Sequence, residues 1–211
     1  GPPSTAASTP ARAGCGSTGY QSVRSARDRP PIIAAKHQST WETFALLKLF
    51  DDYTFIVKRE LTWIPLFGWF MTKARMIPVD RQAGSQALTK MTTRAREEIR
   101  TGRQLVIFPE GTRRAAGAEP RYRFGVAHLY AEVGVPCIPV ALNSGLYWPR
   151  RHFRRYPGTI VVEFLPPIPP GLERTAFHAE VLERMQDRPG ADAFMAAVAA
   201  QGSNPGSDEP I

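Results

Sequence analysis

The chain has 211 residues, enough for one domain with a substantial core, and its 43% hydrophobic and 22% charged content excludes a fibrous or wholly disordered protein. Its 27 Lys and Arg against 19 Asp and Glu leave a net charge of +8, which calls for an anionic partner: nucleic acid, an acidic membrane or protein, or a phosphorylated small molecule. Two distant cysteines, Cys15 and Cys137, make no disulfide framework, and the four histidines lack metal-ligand spacing, so no metal is expected.

In chain order, residues 1–29 are small and polar with neither a helical nor a strand period, and they read as a low-complexity tail. Gly14, Gly16 and Gly19 match a dinucleotide-binding spacing, but that loop needs a strand before it and a helix after it, and neither is present. From residue 30 the texture changes. Short apolar runs predict strands at 32–36, 54–58, 76–79, 104–108, 137–142 and 159–165, and amphipathic stretches predict helices at 40–50, 84–101, 124–133, 172–186 and 191–200. The alternation predicts an α/β fold with a mostly parallel central sheet flanked by helices, a domain over 30–200 and a flexible tail over 201–211. No apolar run reaches the ~20 residues that cross a bilayer; the longest, 61–71, is about half that.

Four segments carry chemistry. In the first, His37 follows a strand, and Ser39-x-x-Glu42 has the form of a capping box opening the next helix. Positions five apart on a continuous helix point about 140° away from each other, so His37 and Glu42 can meet only if His37 lies in the turn. A carboxylate on one imidazole nitrogen would then leave the other free as a general base. In the second, the run Phe108-Pro109-Glu110-Gly111-Thr112-Arg113 follows an apolar strand. Gly111 permits close backbone approach, Thr112 offers a hydroxyl, and Arg113 offers a planar fork suited to phosphate.

The third segment sets basic Lys58 and Arg59 before a wedge containing Trp63, Phe67, Trp69 and Phe70, too many aromatics for routine packing of so short a stretch. It reads as an acyl-chain pocket or an interfacial membrane surface. The fourth is the strand Val135-Pro136-Cys137-Ile138-Pro139-Val140, whose prolines suggest an edge or a strand start; Cys137 reads as a small buried hydrophobe. Further on, Arg150, Arg151, Arg154 and Arg155 surround Trp148 and Phe153 in a basic cluster suited to anionic headgroups, to coenzyme A or to an acidic protein.

Together and in this order, the His37-x-x-x-x-Glu42, KxEL…PxxGW, FPEGTR and VPxxPV blocks resemble the glycerolipid acyltransferase family, in particular its bacterial 1-acyl-glycerol-3-phosphate acyltransferases, from about residue 30 to 172. Two features depart from the family pattern. Glu42 stands where Asp is usual, and residues 1–29 cannot form the membrane-embedding helices that usually come first. The resemblance implies transfer of an acyl group from acyl-CoA or acyl-ACP to lysophosphatidate, giving phosphatidate, without a cofactor and without an acyl-enzyme. It implies His37 as base and Glu42 as its partner, with Lys58, Glu110, Gly111, Thr112 and Arg113 binding the acceptor and Arg81 a weaker candidate. It further implies peripheral or monotopic association with the cytoplasmic face of the inner membrane, a membrane surface and an acyl carrier protein as partners, and no nucleic acid. Glycerol-3-phosphate or another lysolipid would fit the same blocks as acceptor. An inactive fragment would share them too. A non-catalytic basic module for nucleic acid or lipid would also use the charge, but it gives His37 and Glu42 no task.

Overall fold

Five of the apolar runs lie parallel in one sheet because the amphipathic segments between them form crossovers. The computed structural model describes residues 30–80, 82–157 and 160–186. The strands are β1 (Ile32–Ala35), β2 (Tyr53–Lys58), β3 (Ile77–Val79), β4 (Gln104–Ile107), β5 (Cys137–Leu142) and β6 (Val162–Phe164). Their order is β3-β2-β4-β1-β5-β6, all parallel except β6, which runs antiparallel to β5. The expected α/β architecture is the one observed.

Burial follows from the pleat. In β1, Ile32 and Ala34 join one apolar cluster while Ile33 and Ala35 join another on the opposite face, and all four residues are buried. The first cluster is closed by helices α3 (Gly84–Arg100), α4 (Gly125–Val133) and α6 (Arg174–Gln186), through Met91, Ala95, Leu129, Tyr130, Phe177 and Val181. The second is closed by Leu46 and Phe50, which follow the short helix α1 (Trp41–Ala45). Helix α2 (Phe67–Lys73) and the four-residue α5 (Ser144–Tyr147) complete the set.

Some expectations shift. The helix over 40–50 ends as α-helix at Ala45 and tightens into a 3-10 turn at Leu46–Lys48, which carries Leu46 under the sheet. The strand over 159–165 narrows to Val162–Phe164, where the prolines at 166 and 167 supply no further donors. The helix over 172–186 begins at Arg174, after Glu173 Oε2 accepts the Thr175 N–H (2.8 Å). Strand β5 is the larger correction: despite its prolines it lies inside the sheet, between β1 and β6. Pro139 turns its missing N–H toward β6, on the side where its carbonyl accepts Leu165 N–H at 2.9 Å and where Pro166 and Pro167 interrupt the partner strand. Cys137 is fully buried, and burial pushes its thiol far up, as suits a packing residue. Cys15, Arg81, both expected tails and the expected helix over 191–200 lie outside the described residues.

Candidate active site

Parallel strands deliver their C-terminal ends to one edge of the sheet, and the chemistry-bearing segments all leave from that edge. His37 follows β1, Lys58 ends β2, the run 108–113 follows β4, and Ser144 follows β5. Strand β1 pairs with β4 at Ala34↔Ile107 and with β5 at Ala35↔Val140, so three segments distant in sequence converge. Two backbone bonds close the junction: Lys36 N–H to the Val140 carbonyl (3.0 Å) and Arg114 N–H to the His37 carbonyl (2.8 Å).

His37 lies in the turn and Glu42 in the first turn of α1, as the spacing requires, and His37 Nδ1 stands 3.0 Å from Glu42 Oε1. A carboxylate oxygen accepts, so Nδ1 carries the proton and Nε2 is the free nitrogen. The imidazole also stacks on Phe108 (centroids 4.1 Å apart, planes at 17°), which fixes its tilt. Glu42 is fully buried, and its Oε1 accepts the N–H groups of Gln38 and Ser39, both at 2.7 Å. One half of the capping box is therefore made. The other is altered: Ser39 Oγ takes the Trp41 N–H (2.8 Å), because the helix starts one residue later, with Thr40 at its N-cap. The extra methylene of glutamate does not prevent the imidazole–carboxylate bond.

A cavity of about 750 Å³ opens at this edge. Its polar lining includes His37, Thr40, Lys58, Thr112, Arg113 and Arg123, and its apolar lining includes Leu61, Phe67, Met71, Leu88 and Met91. Gly111 adopts φ +65°, a conformation favouring glycine, and this turn presents Thr112 and Arg113 to the cavity. Arg113 Nη1 donates to Thr40 Oγ1 (2.7 Å), and Lys58 is ion-paired with Glu60 (3.0 Å). The basic cluster adjoins Arg113: Arg150 Nη1 donates to the Arg113 carbonyl (2.7 Å), and Arg155 covers the Trp148 ring at 4.5 Å.

Glu110 is placed differently from the other acceptor-binding candidates. It is buried behind the cavity and does not line it, and its Oε2 accepts the His37 backbone N–H at 3.3 Å. Burial raises its pKa from the ordinary 4.5 to about 7, against the lowering effects of the His37 N–H, Lys36 and Arg114; the Glu42 charge raises it further. Between those two values the folded chain holds more of this proton than the unfolded one. The contribution of Glu110 to stability is therefore full below about pH 4.5 and is lost as pH rises through about 7, a difference of about 3 kcal/mol. Glu110→Gln keeps an acceptor for His37 N–H and is expected to abolish this slope. Urea unfolding at pH 5 and pH 8 checks it: the variant should gain stability over wild type only at pH 8.

The apolar wedge is exposed. Trp63, Leu66 and Trp69 show 67%, 85% and 66% of their surface, while Phe67, Phe70 and Met71 of the same segment line the cavity. Arg59 lies over Trp63 (5.6 Å) and Lys73 over Trp69 (5.8 Å). Among the described residues no helix is long and apolar enough to cross a membrane.

A model of the Acyltransferase family matches residues 17–143, more than half the chain. The chain belongs to the acyltransferase family. It is 38% identical over 153 residues to a 1-acyl-sn-glycerol-3-phosphate acyltransferase of Pseudomonas aeruginosa, covering 72% of this chain and 56% of the relative. A 1-acyl-sn-glycerol-3-phosphate acyltransferase of Cocos nucifera is 31% identical over 139 residues, 65% of this chain and 45% of the relative. The chain thus spans about half the length of the curated relatives it matches. The crystal structure of the 1-acyl-sn-glycerophosphate acyltransferase PlsC from Thermotoga maritima shares the fold, with a TM-score of 0.61 and 24% identity over 76% of this acyltransferase chain and 68% of that one.

Proximity in space also brings in residues that the motifs did not single out for the site. Phe108 reads in the sequence only as a strand end, and neither Gln38 nor Arg123 is singled out by a motif, although Arg123 stands just before α4 and lines the cavity. Ser144 lies outside the four motif blocks; the available signal is its place just past a strand running parallel to the one before His37.

Proposed function

We propose that this chain transfers a fatty acyl group from an acyl thioester to the free hydroxyl of 1-acyl-glycerol-3-phosphate, giving phosphatidate. The observation that carries the reading is one cavity lined by His37, whose ring Glu42 holds, by the cations Lys58, Arg113 and Arg123, and by apolar side chains. His37 Nε2 takes the hydroxyl proton as the acceptor oxygen attacks the thioester carbonyl. The new C–O ester bond forms, the C–S bond breaks, and the proton passes to the departing thiolate. Glu42 holds the ring tautomer and stabilises the imidazolium while it exists.

Arg113, Thr112 and the Gly111 turn hold the phosphate of the acceptor, with Lys58 as a second cation. The apolar lining of the cavity takes hydrocarbon, and the exposed aromatic wedge with Arg59 and Lys73 rests in an anionic membrane interface, on the cytoplasmic face where lipid and thioester meet. Acyl-CoA or acyl-ACP is the donor, and the arginine cluster at 150–155 is the surface suited to either.

A charge-assisted phosphate contact contributes about 1.5–3 kcal/mol, and 1.4 kcal/mol is tenfold in binding. Arg113→Ala is therefore expected to raise KM for lysophosphatidate about tenfold or more, with KM for the thioester nearly unchanged. In a radiolabelled-acyl assay monoacylglycerol, which lacks the phosphate, should be turned over at least about tenfold less efficiently. Equal turnover of the two acceptors would refute the phosphate site.

A further inference from the structure

Glu42 has a second oxygen that His37 does not use. Oε1 already faces three donors: His37 Nδ1 and the backbone N–H groups of Gln38 and Ser39. Oε2 receives the hydroxyl of Ser144 at 2.7 Å, and Ser144 is as fully buried as Glu42. The two residues are 102 apart in sequence; the parallel pairing of β1 with β5 brings them together. The next residue, Gly145, donates its N–H to Gln38 Oε1 at 3.1 Å, so successive residues of α5 grip the same turn that bears His37 and Glu42. Only glycine fits at 145, since a Cβ there would stand 2.9 Å from Gln38 Cβ. Ser144 itself lies one residue past the stretch matched to the family.

The terminal torsion of a glutamate is broad, so contacts at one oxygen leave the carboxylate free to swing about it. A second donor on the other oxygen defines the plane. Ser144 does not line the cavity and its hydroxyl is committed to Glu42, which excludes it as an attacking group in this arrangement.

We propose that Ser144 is a positioning residue: its hydroxyl fixes the plane of the Glu42 carboxylate, which holds the His37 ring with Nε2 toward the cavity, and the Gly145–Gln38 bond keeps Ser144 seated. The inference rests on His37 and Glu42 acting as the base and its partner. Its test is Ser144→Ala in the full chain, read by steady-state kinetics and by proton NMR of the downfield His37 Nδ1–H signal, assigned by its loss in His37→Ala. The variant is expected to lower kcat about tenfold, leave KM for both substrates within about twofold, and shift or broaden the downfield signal. Should Ala loosen the loop, Ser144→Thr keeps the donor and is expected to retain kcat within about threefold and the wild-type signal. Wild-type kcat with an unmoved signal in Ser144→Ala would overturn the proposal, as would a raised KM with the signal unmoved, which would make Ser144 a substrate contact. The NMR reading needs no turnover. If wild type acylates neither acceptor, the proposed function fails while the signal still decides the role of Ser144.

Discussion

His37→Ala is expected to lower kcat by about 10³-fold or more while the protein stays folded. General-base assistance is typically worth about 10²–10⁴ in rate, and a base held at both its ring face and its Nδ1 belongs toward the upper end. The ring is stacked on Phe108 and is not part of either apolar cluster, so its removal should cost only about 1–2 kcal/mol of stability. The measurement is a radiolabelled acyl-thioester assay with lysophosphatidate in liposomes, paired with a thermal melt. The truncated side chain leaves a space open to the cavity, so added imidazole should restore part of the rate. Residual activity within tenfold of wild type, in a folded variant, would remove His37 from the mechanism.

Glu42→Gln is expected to give the second-largest loss, about 10²-fold in kcat. Alanine would be the wrong probe here, because it strands two backbone N–H groups and a hydroxyl in a buried site, each costing about 1–3 kcal/mol. Glutamine fills the same volume. Three donors meet at the Oε1 position, so the amide oxygen will settle there and its NH₂ will face Ser144, whose hydroxyl can turn to accept. The ring tautomer is then preserved and only the negative charge is lost. Reduction of a charge-assisted bond to a neutral one, with the imidazolium left uncompensated, accounts for about 1.5–3 kcal/mol. That lies well below the ~10⁴-fold loss seen where such a change imposes the wrong tautomer. KM for the acceptor should barely move, and a loss confined to KM would show that Glu42 serves substrate binding instead.

The parts of the site that could be read in the sequence are those whose geometry is local. His37 and Glu42 are separated by one turn, so strand–turn–helix patterning sufficed to bring them together, and Gly111-Thr112-Arg113 form a single turn after β4. The sheet was legible for a related reason: strands buried on both faces read as unbroken apolar runs, as Ile32–Ala35 and Cys137–Leu142 do. Glu110 belongs to a motif whose neighbours line the cavity, yet it is buried and outside that lining, and local spacing does not tell which side of the turn a residue takes. Phe108 against His37 and Ser144 against Glu42 are set by strand order, which no local pattern encodes. The prolines of β5 pointed to an edge because the rule concerns a missing donor, and here the donor is missing on the side where the partner strand offers prolines too.

The Ser144–Glu42 bond also has a consequence for biosynthesis. A ribosome adding about 5–20 residues per second takes roughly 5–20 s to travel from Glu42 to Ser144. During that interval the His37 turn has emerged, but the strand that seats it has not been made. The β1–β5 pairing spans the same long stretch of chain, and such non-local closures come late in folding. The nascent protein is therefore expected to complete the seat of its Glu42 carboxylate only after residue 144 has been added, well after the apolar wedge at residues 61–71 has been made.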